Sequence, residues 1–154
     1  MTKGKVYRCK KVAVKDVIDL IEYGANSRKG ETIGAQPYSE SFPYFKKLIE
    51  SDNYIAYKKG KKVIAFASYY KLKDLIDVEE VRRMDDTWNM PANISDGKIV
   101  FVDTLISDGQ MNGTFIKRFI RDLKKKEQEA LYAVWIGMDS KMYLYNRRKK
   151  SHAE

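Results

Sequence analysis

The spacing of apolar residues in the first part of the chain predicts a strand followed by two helices. Residues 5–11 suit a first strand. The apolar residues after it repeat at the spacing of one helical face, and the helix that they predict ends at Gly24: Val14, Val17, Ile18 and Ile21. Residues 25–38 contain two glycines and a proline and are typical of a loop. The second predicted helix takes Ser41 as its cap and carries Pro43 in its first turn.

The middle of the chain predicts a β-hairpin and then a central strand. Residues 54–57 and 63–70 are rich in strand-forming side chains, and they flank a lysine-rich turn with one glycine at 58–62. The nearly unbroken apolar run at 99–106 is typical of a strand that is covered on both faces.

An amphipathic helix and a further strand are expected in the last third of the chain. From Asn112 onward the apolar residues follow a helical period, and the lysines at 124–126 complement the helix dipole. Residues 131–138 supply the next strand, and the alternation at 142–145 fits a strand as readily as a helix. This order of elements predicts an α/β (α+β) fold with a mixed, mostly antiparallel central sheet flanked by helices. We expect the domain to span residues 1–146 and a basic tail to follow at 147–154.

The composition is that of one ordinary folded domain with an excess of positive charge. The chain has 154 residues, 44% of them apolar, which is enough for a core without a disulfide scaffold. Its 30 lysines and arginines outnumber 21 aspartates and glutamates and give a formal net charge of +9 at pH 7. The expected partners therefore carry negative charge, as phosphates, nucleic acids and acidic surfaces do.

Single residues exclude several kinds of chemistry. Cys9 is the only cysteine, so an intrachain disulfide and a cysteine-rich zinc site are excluded. His152 is the only histidine and lies in the charged C-terminal segment, which argues against histidine-based catalysis. The first residues contain no apolar core of a signal peptide, and no window of the sequence reaches the length of a membrane helix. We therefore expect a cytoplasmic protein that does not bind membranes.

The most informative segment is the junction between the central strand and the amphipathic helix, residues 105–115. A strand there runs through a turn with Gly109 and Gly113 directly into a helix start. Free main-chain N–H groups and the positive end of the helix dipole can bind a phosphate at such a junction. The alternative is a purely structural tight turn in which Asn112 caps the helix.

The element order and this junction together resemble the GCN5-related N-acetyltransferase (GNAT) superfamily. Members of that family bind acetyl-CoA at a strand-to-helix turn with the pattern Gln/Arg-x-x-Gly-x-Gly/Ala. Gln110 and Gly113 match this pattern, whereas Phe115 stands where the family has glycine or alanine. The resemblance in element order covers roughly residues 5–145.

The resemblance implies a position for the cofactor. The pyrophosphate of acetyl-CoA would lie on the main chain of six consecutive residues: Gln110, Met111, Asn112, Gly113, Thr114 and Phe115. The pantetheine arm would lie beside Leu105 and Ile106, in a slot between splayed strands at 99–106 and 131–138.

The resemblance also implies the reaction, in which a primary amine attacks the thioester directly. A main-chain N–H near Leu105 would stabilise the developing oxyanion. Asp103 is the expected proton acceptor, and Tyr143 or Tyr145 is the expected acid for the leaving thiolate. Each of these three side chains also has a structural interpretation, Asp103 as a hydrogen-bonding residue of the strand and the tyrosines as packing residues.

Local charge suggests the kind of acceptor. Residues 72–98 contain seven acidic and four basic side chains, in contrast to the rest of the chain. An acidic segment on the acceptor side of the sheet would favour a cationic amine, such as a lysine side chain or a polyamine. Alternatively, these charges form the solvated face of a helix.

Two other classes of function remain open from the sequence. Basic clusters at 58–62, 124–126 and 147–150, with tyrosines near the last, would suit RNA or DNA binding through phosphate contacts and stacking. Lysines in turns and at helix ends also serve solubility alone. The third class is an acetyltransferase fold without catalysis that serves as an interaction module, as in a small protein encoded by a phage or a mobile element, and the departure at Phe115 keeps this class open.

Overall fold

The computed structural model describes residues 5–27, 38–82, 91, 93–136 and 142–146, which form six strands and four helices. In chain order they are β1 (Val6–Cys9), α1 (Val14–Ser27), α2 (Tyr38–Glu50), β2 (Tyr54–Lys59), β3 (Lys62–Leu72), α3 (Leu75–Arg82), β4 (Ile99–Ser107), α4 (Phe115–Lys126), β5 (Tyr132–Ile136) and β6 (Met142–Asn146). The predicted fold class is confirmed, since the chain is a mixed α/β structure.

The strands form one sheet in the order β1-β2-β3-β4-β5-β6. Every neighbouring pair is antiparallel except β4 and β5, which are parallel and are joined by α4 as a crossover. The predicted hairpin is confirmed as β2 and β3, and its tip includes Gly60 with a φ of 64°. Residues 142–146, which fitted a strand or a helix equally well, form the edge strand β6.

Two apolar cores lie on opposite faces of the sheet. On the first face, α1 and α2 bury residues such as Val17, Phe45 and Leu48 against Phe66 and other side chains of the sheet. On the second face, α4 lies over β2 and β3, and its buried residues pack in a separate cluster: Phe115, Phe119 and Leu123. Each face of the sheet thus has its own layer of helices.

Two helix boundaries differ from those that the sequence predicts. Helix α1 continues past Gly24 to Ser27, because a single glycine costs a helix only about 1 kcal/mol and does not end it when the helix is held by packing. Helix α2 begins at Tyr38 and not after Ser41, so Pro43 lies inside it. The burial of Tyr44, Phe45 and Leu48 outweighs the hydrogen bond that this proline removes. Most of the predicted loop at 25–38, the tail at 147–154 and His152 lie outside the described residues.

Hydrogen bonds from Lys126 join the end of α4 to the turn before β2. Its Nζ donates to the carbonyl oxygen of Tyr54 at 2.7 Å, to the carboxylate of Asp52 at 3.1 Å and to the carbonyl oxygen of Asp52. The ammonium also lies over the rings of Tyr54 and Tyr69, 5.3 and 5.5 Å from their centroids. Desolvation lowers the pKa of this lysine, and the bonds to Asp52 oppose that shift. None of the described helices is long and apolar enough to cross a membrane.

Replacement of Lys126 with alanine is expected to destabilise the protein by about 1.5–3 kcal/mol, because carbonyl acceptors lose a charged donor. Chemical denaturation of Lys126→Ala and of the neighbouring exposed Lys125→Ala tests this. The Lys125 variant is expected to stay within about 0.5 kcal/mol of the parent protein. Equal effects of the two substitutions would contradict the assigned role.

Candidate functional site

The parallel strands β4 and β5 separate soon after they meet. Their ladder joins three residue pairs, from Ile99 with Tyr132 to Phe101 with Val134. Beyond Phe101, residues Val102–Ser107 of β4 pair with β3 but have no partner on β5 among the described residues. Main-chain N–H and C=O groups that face this gap are therefore available to a ligand. The splayed strands expected from the sequence are present.

An apolar groove lies beside the gap, on the α4 face of the sheet. Its cavity volume is about 180 Å³, and its walls come from β4, β5, β6 and the flank of α4. Leu105, Ile116 and Ile120 line it and are more than 40% exposed to solvent. Because α4 lies over β2 and β3, it leaves the part of the sheet near β5 uncovered, and this groove is the result.

The loop between β4 and α4 is fixed from within by Asp108. The carboxylate of Asp108 accepts from the main-chain N–H of Gln110 at 3.0 Å and from the Gln110 amide Nε2 at 2.8 Å. Its side chain is 1% exposed and lies 3.8 Å from the ammonium of Lys62. Gln110 therefore stabilises the loop through Asp108.

The loop leads to a helix start whose N–H groups are free. Asn112 and Gly113 have positive φ angles of 52° and 81°, and a Cβ added at Gly113 would meet open space. The N-cap is Thr114 and not Asn112, and its hydroxyl donates to the carbonyl oxygen of Met111 at 2.6 Å without capping the helix. Among the described residues, the N–H groups of Gly113, Phe115 and Ile116 meet no acceptor. The first turn of α4 contains no acidic residue, so this end of the helix suits an anion.

The ring of Phe115 points away from this helix start. It is 7% exposed and packs in the second core against Tyr57 and Phe119, with ring centroids 6.1 and 6.4 Å away. The main chain of Phe115 remains at the start of α4 while its side chain fills the core. The departure from the family pattern therefore leaves the helix start open.

A β-bulge places Asp103 on the opposite face of the sheet from the groove. Ser68 pairs with Thr104 and Tyr69 pairs with Val102, so Asp103 is the extra residue of β4. Its carboxylate oxygen Oδ2 accepts from the hydroxyl of Tyr44 on α2 and from the hydroxyl of Thr104 at 3.1 Å. Two residues further along β4, Leu105 lines the groove. The strand thus carries a carboxylate on one face and the groove wall on the other.

The surroundings of Asp103 change the pKa of each group in the cluster. Desolvation by surrounding protein atoms raises the pKa of the Asp103 carboxyl, and the hydroxyl donors partly oppose this shift. The residue as a whole still keeps contact with solvent. The pKa of Tyr44 is raised far above its ordinary range, first by burial and then by the neighbouring carboxylate. Tyr70 is affected in the same way. Both phenols therefore remain protonated donors at neutral pH.

The two tyrosines expected as acids lie on β6. Tyr145 lines the groove, and the ammonium of Lys124 lies 4.7 Å from its ring centroid. Tyr143 is 41% exposed and stacks on Trp135, with 5.7 Å between ring centroids. Of the two tyrosines, Tyr145 lines the groove and Tyr143 does not.

The remaining residues expected at the cofactor divide between the two faces. Leu105 faces the groove, whereas Ile106 is buried in the first core beneath α1 and α2. Met111 is buried in the second core. These two residues can therefore contribute main-chain groups, with their side chains directed into the cores.

Several residues of this site were not found from the sequence. Nothing in the apolar pattern indicates that Tyr44 and Tyr70 place their hydroxyls at Asp103, since the β-bulge brings these groups together. The helical period from Asn112 onward predicts an amphipathic helix, and it does not show that Ile116 and Ile120 form an exposed flank beside the buried residues. The sequence feature that indicates this flank is the width of the apolar stripe of α4, which is broader than the packing of the helix on the sheet requires.

The charged segments have structural partners in the described residues. Asp74 and Asp77 accept from each other's main-chain N–H at 3.1 and 3.3 Å, which is a reciprocal cap at the start of α3. In the basic cluster at 124–126, Lys126 is bonded internally and Lys124 packs on Tyr145, which leaves Lys125 as the exposed member. The cluster at 147–150 lies outside the described residues, so nucleic-acid binding stays a prediction.

Solved structures with the same fold match most of the chain. The loading GNATL domain of CurA from Lyngbya majuscula gives a TM-score of 0.58 at 10% identity, and this chain covers 63% of it with 86% of its own length. A GNAT family acetyltransferase from Brucella melitensis, solved in complex with acetyl-CoA, gives 0.55 at 6% identity, with 87% of this chain and 77% of that one. A predicted acetyltransferase from Clostridium acetobutylicum, solved with acetyl-CoA, gives 0.50 at 12% identity, with 97% and 90% covered.

These similarities show that the chain has the GNAT fold, as expected from its element order and from the junction at 105–115. Comparison with models of protein families and with curated proteins gave no match to the sequence. The chain spans less than two thirds of the CurA domain that it matches.

Replacement of Phe115 with alanine is expected to destabilise the protein by about 3–5 kcal/mol, because the ring is part of the second core. The adjacent Ile116, which is 47% exposed, provides the matched control. Ile116→Ala is expected to cost roughly 1 kcal/mol or less in denaturant unfolding. A similarly small cost for Phe115→Ala would mean that the ring is not buried as described.

Proposed function

We propose that this protein is an N-acetyltransferase that moves an acetyl group from acetyl-CoA to a primary amine. The observation that carries the proposal is the gap between β4 and β5 beside the free N-terminus of α4. The fold alone does not define an activity. The gap, the apolar groove and Asp103 together supply a binding site and a proton acceptor at the same point of the sheet.

The residues present fit acetyl-CoA. The main chain from Gln110 to Phe115 would hold the pyrophosphate, because the N–H groups of Gly113, Phe115 and Ile116 are free and no acidic side chain lies in the first turn of α4. The unpaired edge Val102–Ser107 and the groove would hold the pantetheine arm. When bound, the thioester supplies an activated acyl group. The Brucella and Clostridium proteins with this fold were solved with the same compound.

Asp103 is proposed to accept a proton from the amine. It lies on the face of the sheet opposite the groove, so the amine would approach the gap from the side of α1 and α2. Its raised pKa brings it closer to that of a useful general base at neutral pH. A main-chain N–H near Leu105 would stabilise negative charge on the acyl oxygen. Tyr145, in the groove wall, is the better placed of the two tyrosines to protonate the leaving thiolate.

The acceptor class is proposed from the same geometry. The carboxylate of a residue that is exposed to solvent suits an amine, and a lysine side chain or a polyamine fits this chemistry. The acidic segment supports this proposal less than its charge suggests, since Asp74 and Asp77 cap α3. We also propose that residues 1–146 form the acyltransferase domain in a cytoplasmic protein.

Acetyl-CoA is expected to bind with a measurable dissociation constant in isothermal titration calorimetry. Ile120→Lys is expected to weaken this binding by roughly tenfold or more, because it places an ammonium in the apolar groove. Ile76→Lys is the matched control, since Ile76 is 71% exposed on α3 and does not line the groove. Absence of binding to the parent protein at millimolar acetyl-CoA would overturn the proposal.

Replacement of Asp103 with asparagine is expected to reduce turnover roughly 100- to 10,000-fold while the dissociation constant of acetyl-CoA stays unchanged. Thiol release measured with a panel of primary amines tests this, with the exposed Asp19→Asn as the control. Because its pKa is raised, the ionised base is lost as pH falls through a value above that of an ordinary aspartate, and the rate should fall with it. Acetyl-CoA binding without turnover for any amine would instead support a non-catalytic interaction module.

A further inference from the structure

The carboxylate of Asp103 belongs to a cluster of hydroxyls drawn from three elements. Tyr44 comes from α2, Tyr70 from β3 and Thr104 from β4 itself. Tyr44 and Tyr70 are 4% and 1% exposed, and their hydroxyl oxygens are 2.5 Å apart. Around them lies the first apolar core. Buried polar groups in proteins are almost always hydrogen-bonded, and these hydroxyls surround a single carboxylate.

A carboxylate only accepts hydrogen bonds, so the hydroxyls around Asp103 are the donors. Tyr44 donates its single proton to Oδ2 of Asp103, and Thr104 donates to the same oxygen at 3.1 Å. Tyr70 also hydrogen-bonds to the Asp103 carboxylate, and its hydroxyl oxygen lies 2.5 Å from that of Tyr44.

These hydroxyls hold the carboxylate from the protein side, while Asp103 as a residue is exposed to solvent. A carboxylate fixed by several donors cannot rotate freely, so it presents a constant orientation to an incoming group.

We propose that Tyr44 and Tyr70 are positioning residues, which hold the carboxylate of Asp103 in the orientation in which it receives the proton of the acceptor amine. This inference rests on the proposed acetyl transfer for its purpose. The N–H bond of the amine breaks and its proton bonds to the Asp103 carboxylate, while the electron pair left on nitrogen forms the bond to the acyl carbon. The C–S bond of the thioester then breaks, and its electron pair leaves with the sulfur, which takes a proton from the acid proposed above, Tyr145. Tyr44 retains its own proton throughout, since its loss would place a second negative charge beside Asp103.

A comparable pair elsewhere in the molecule provides a matched control. Tyr57 donates to Oδ2 of Asp122 at 2.6 Å, and both residues are buried. That pair joins α4 to β2, on the other face of the sheet from Asp103. Tyr57→Phe therefore removes a buried phenol-to-carboxylate bond without touching the cluster at Asp103.

The test measures the titration of Asp103 directly, by NMR of the carboxyl carbon in aspartate-labelled protein, with Asp103→Asn to assign the signal. The titratable groups that face Asp103 from the described elements are Tyr44 and Tyr70. Loss of a charge-assisted donor destabilises the ionised carboxylate, so Tyr44→Phe is expected to raise its pKa by about one unit. Tyr70→Phe is expected to shift it less in the same direction, and the double variant is expected to shift it most.

The acidic limb of the kcat/KM profile should move to higher pH by the same amount in these variants and should not move in Tyr57→Phe. An Asp103 titration unchanged in both Tyr44→Phe and the double variant would overturn the positioning role, as would an equal shift in Tyr57→Phe. If Tyr44→Phe does not fold, Tyr70→Phe decides by the same criteria. A shifted titration without any acetyl transfer would uphold the positioning of Asp103 and refute the proposed reaction, so the two failures are distinguishable.

Discussion

The separation of β4 and β5 is the constraint on which the rest of the structure depends. A central strand normally satisfies its main-chain N–H and C=O groups on both edges, and unpaired groups in a sheet interior are costly. Here β4 pairs with β3 from Ile99 to Ser107, while its other edge is paired only as far as Phe101. The antiparallel ladder with β3 keeps the strand in place, so its free edge can serve a ligand without loss of the fold.

The helices cover the two faces of the sheet to different extents. The first face is covered by α1 and α2, and Tyr44 of α2 donates from that layer to the carboxylate of the exposed residue Asp103. On the second face, α4 turns Phe115 and Phe119 toward β2 and β3 and leaves Ile120 beside the groove. Ile116 and Ile120 on this flank are each more than 40% exposed, and in the proposed function a bound pantetheine arm would cover them.

The sequence predicted the hairpin, the central strand and the crossover helix, since apolar periodicity and glycine-containing turns are local signals. It also located the loop from Gln110 to Gly113, because glycine and helix-start residues lie side by side there. Helix ends were less predictable, as α1 shows by passing Gly24, because long-range packing decides them. The cluster of Tyr44 and Asp103 could not be read from periodicity, since these residues are 59 positions apart and meet only through the bulge.

Because of the bulge in β4, the number of residues in this strand determines which face of the sheet each side chain occupies. Side chains two positions apart normally share one face of a strand, and Asp103 and Leu105 lie on opposite faces because of the bulge. The insertion or deletion of one residue between them would therefore place Leu105 on the same face as Asp103. Conservative exchanges among valine, leucine and isoleucine would leave the layout intact. Over evolutionary time we therefore expect the residues of this strand to change while its length stays fixed.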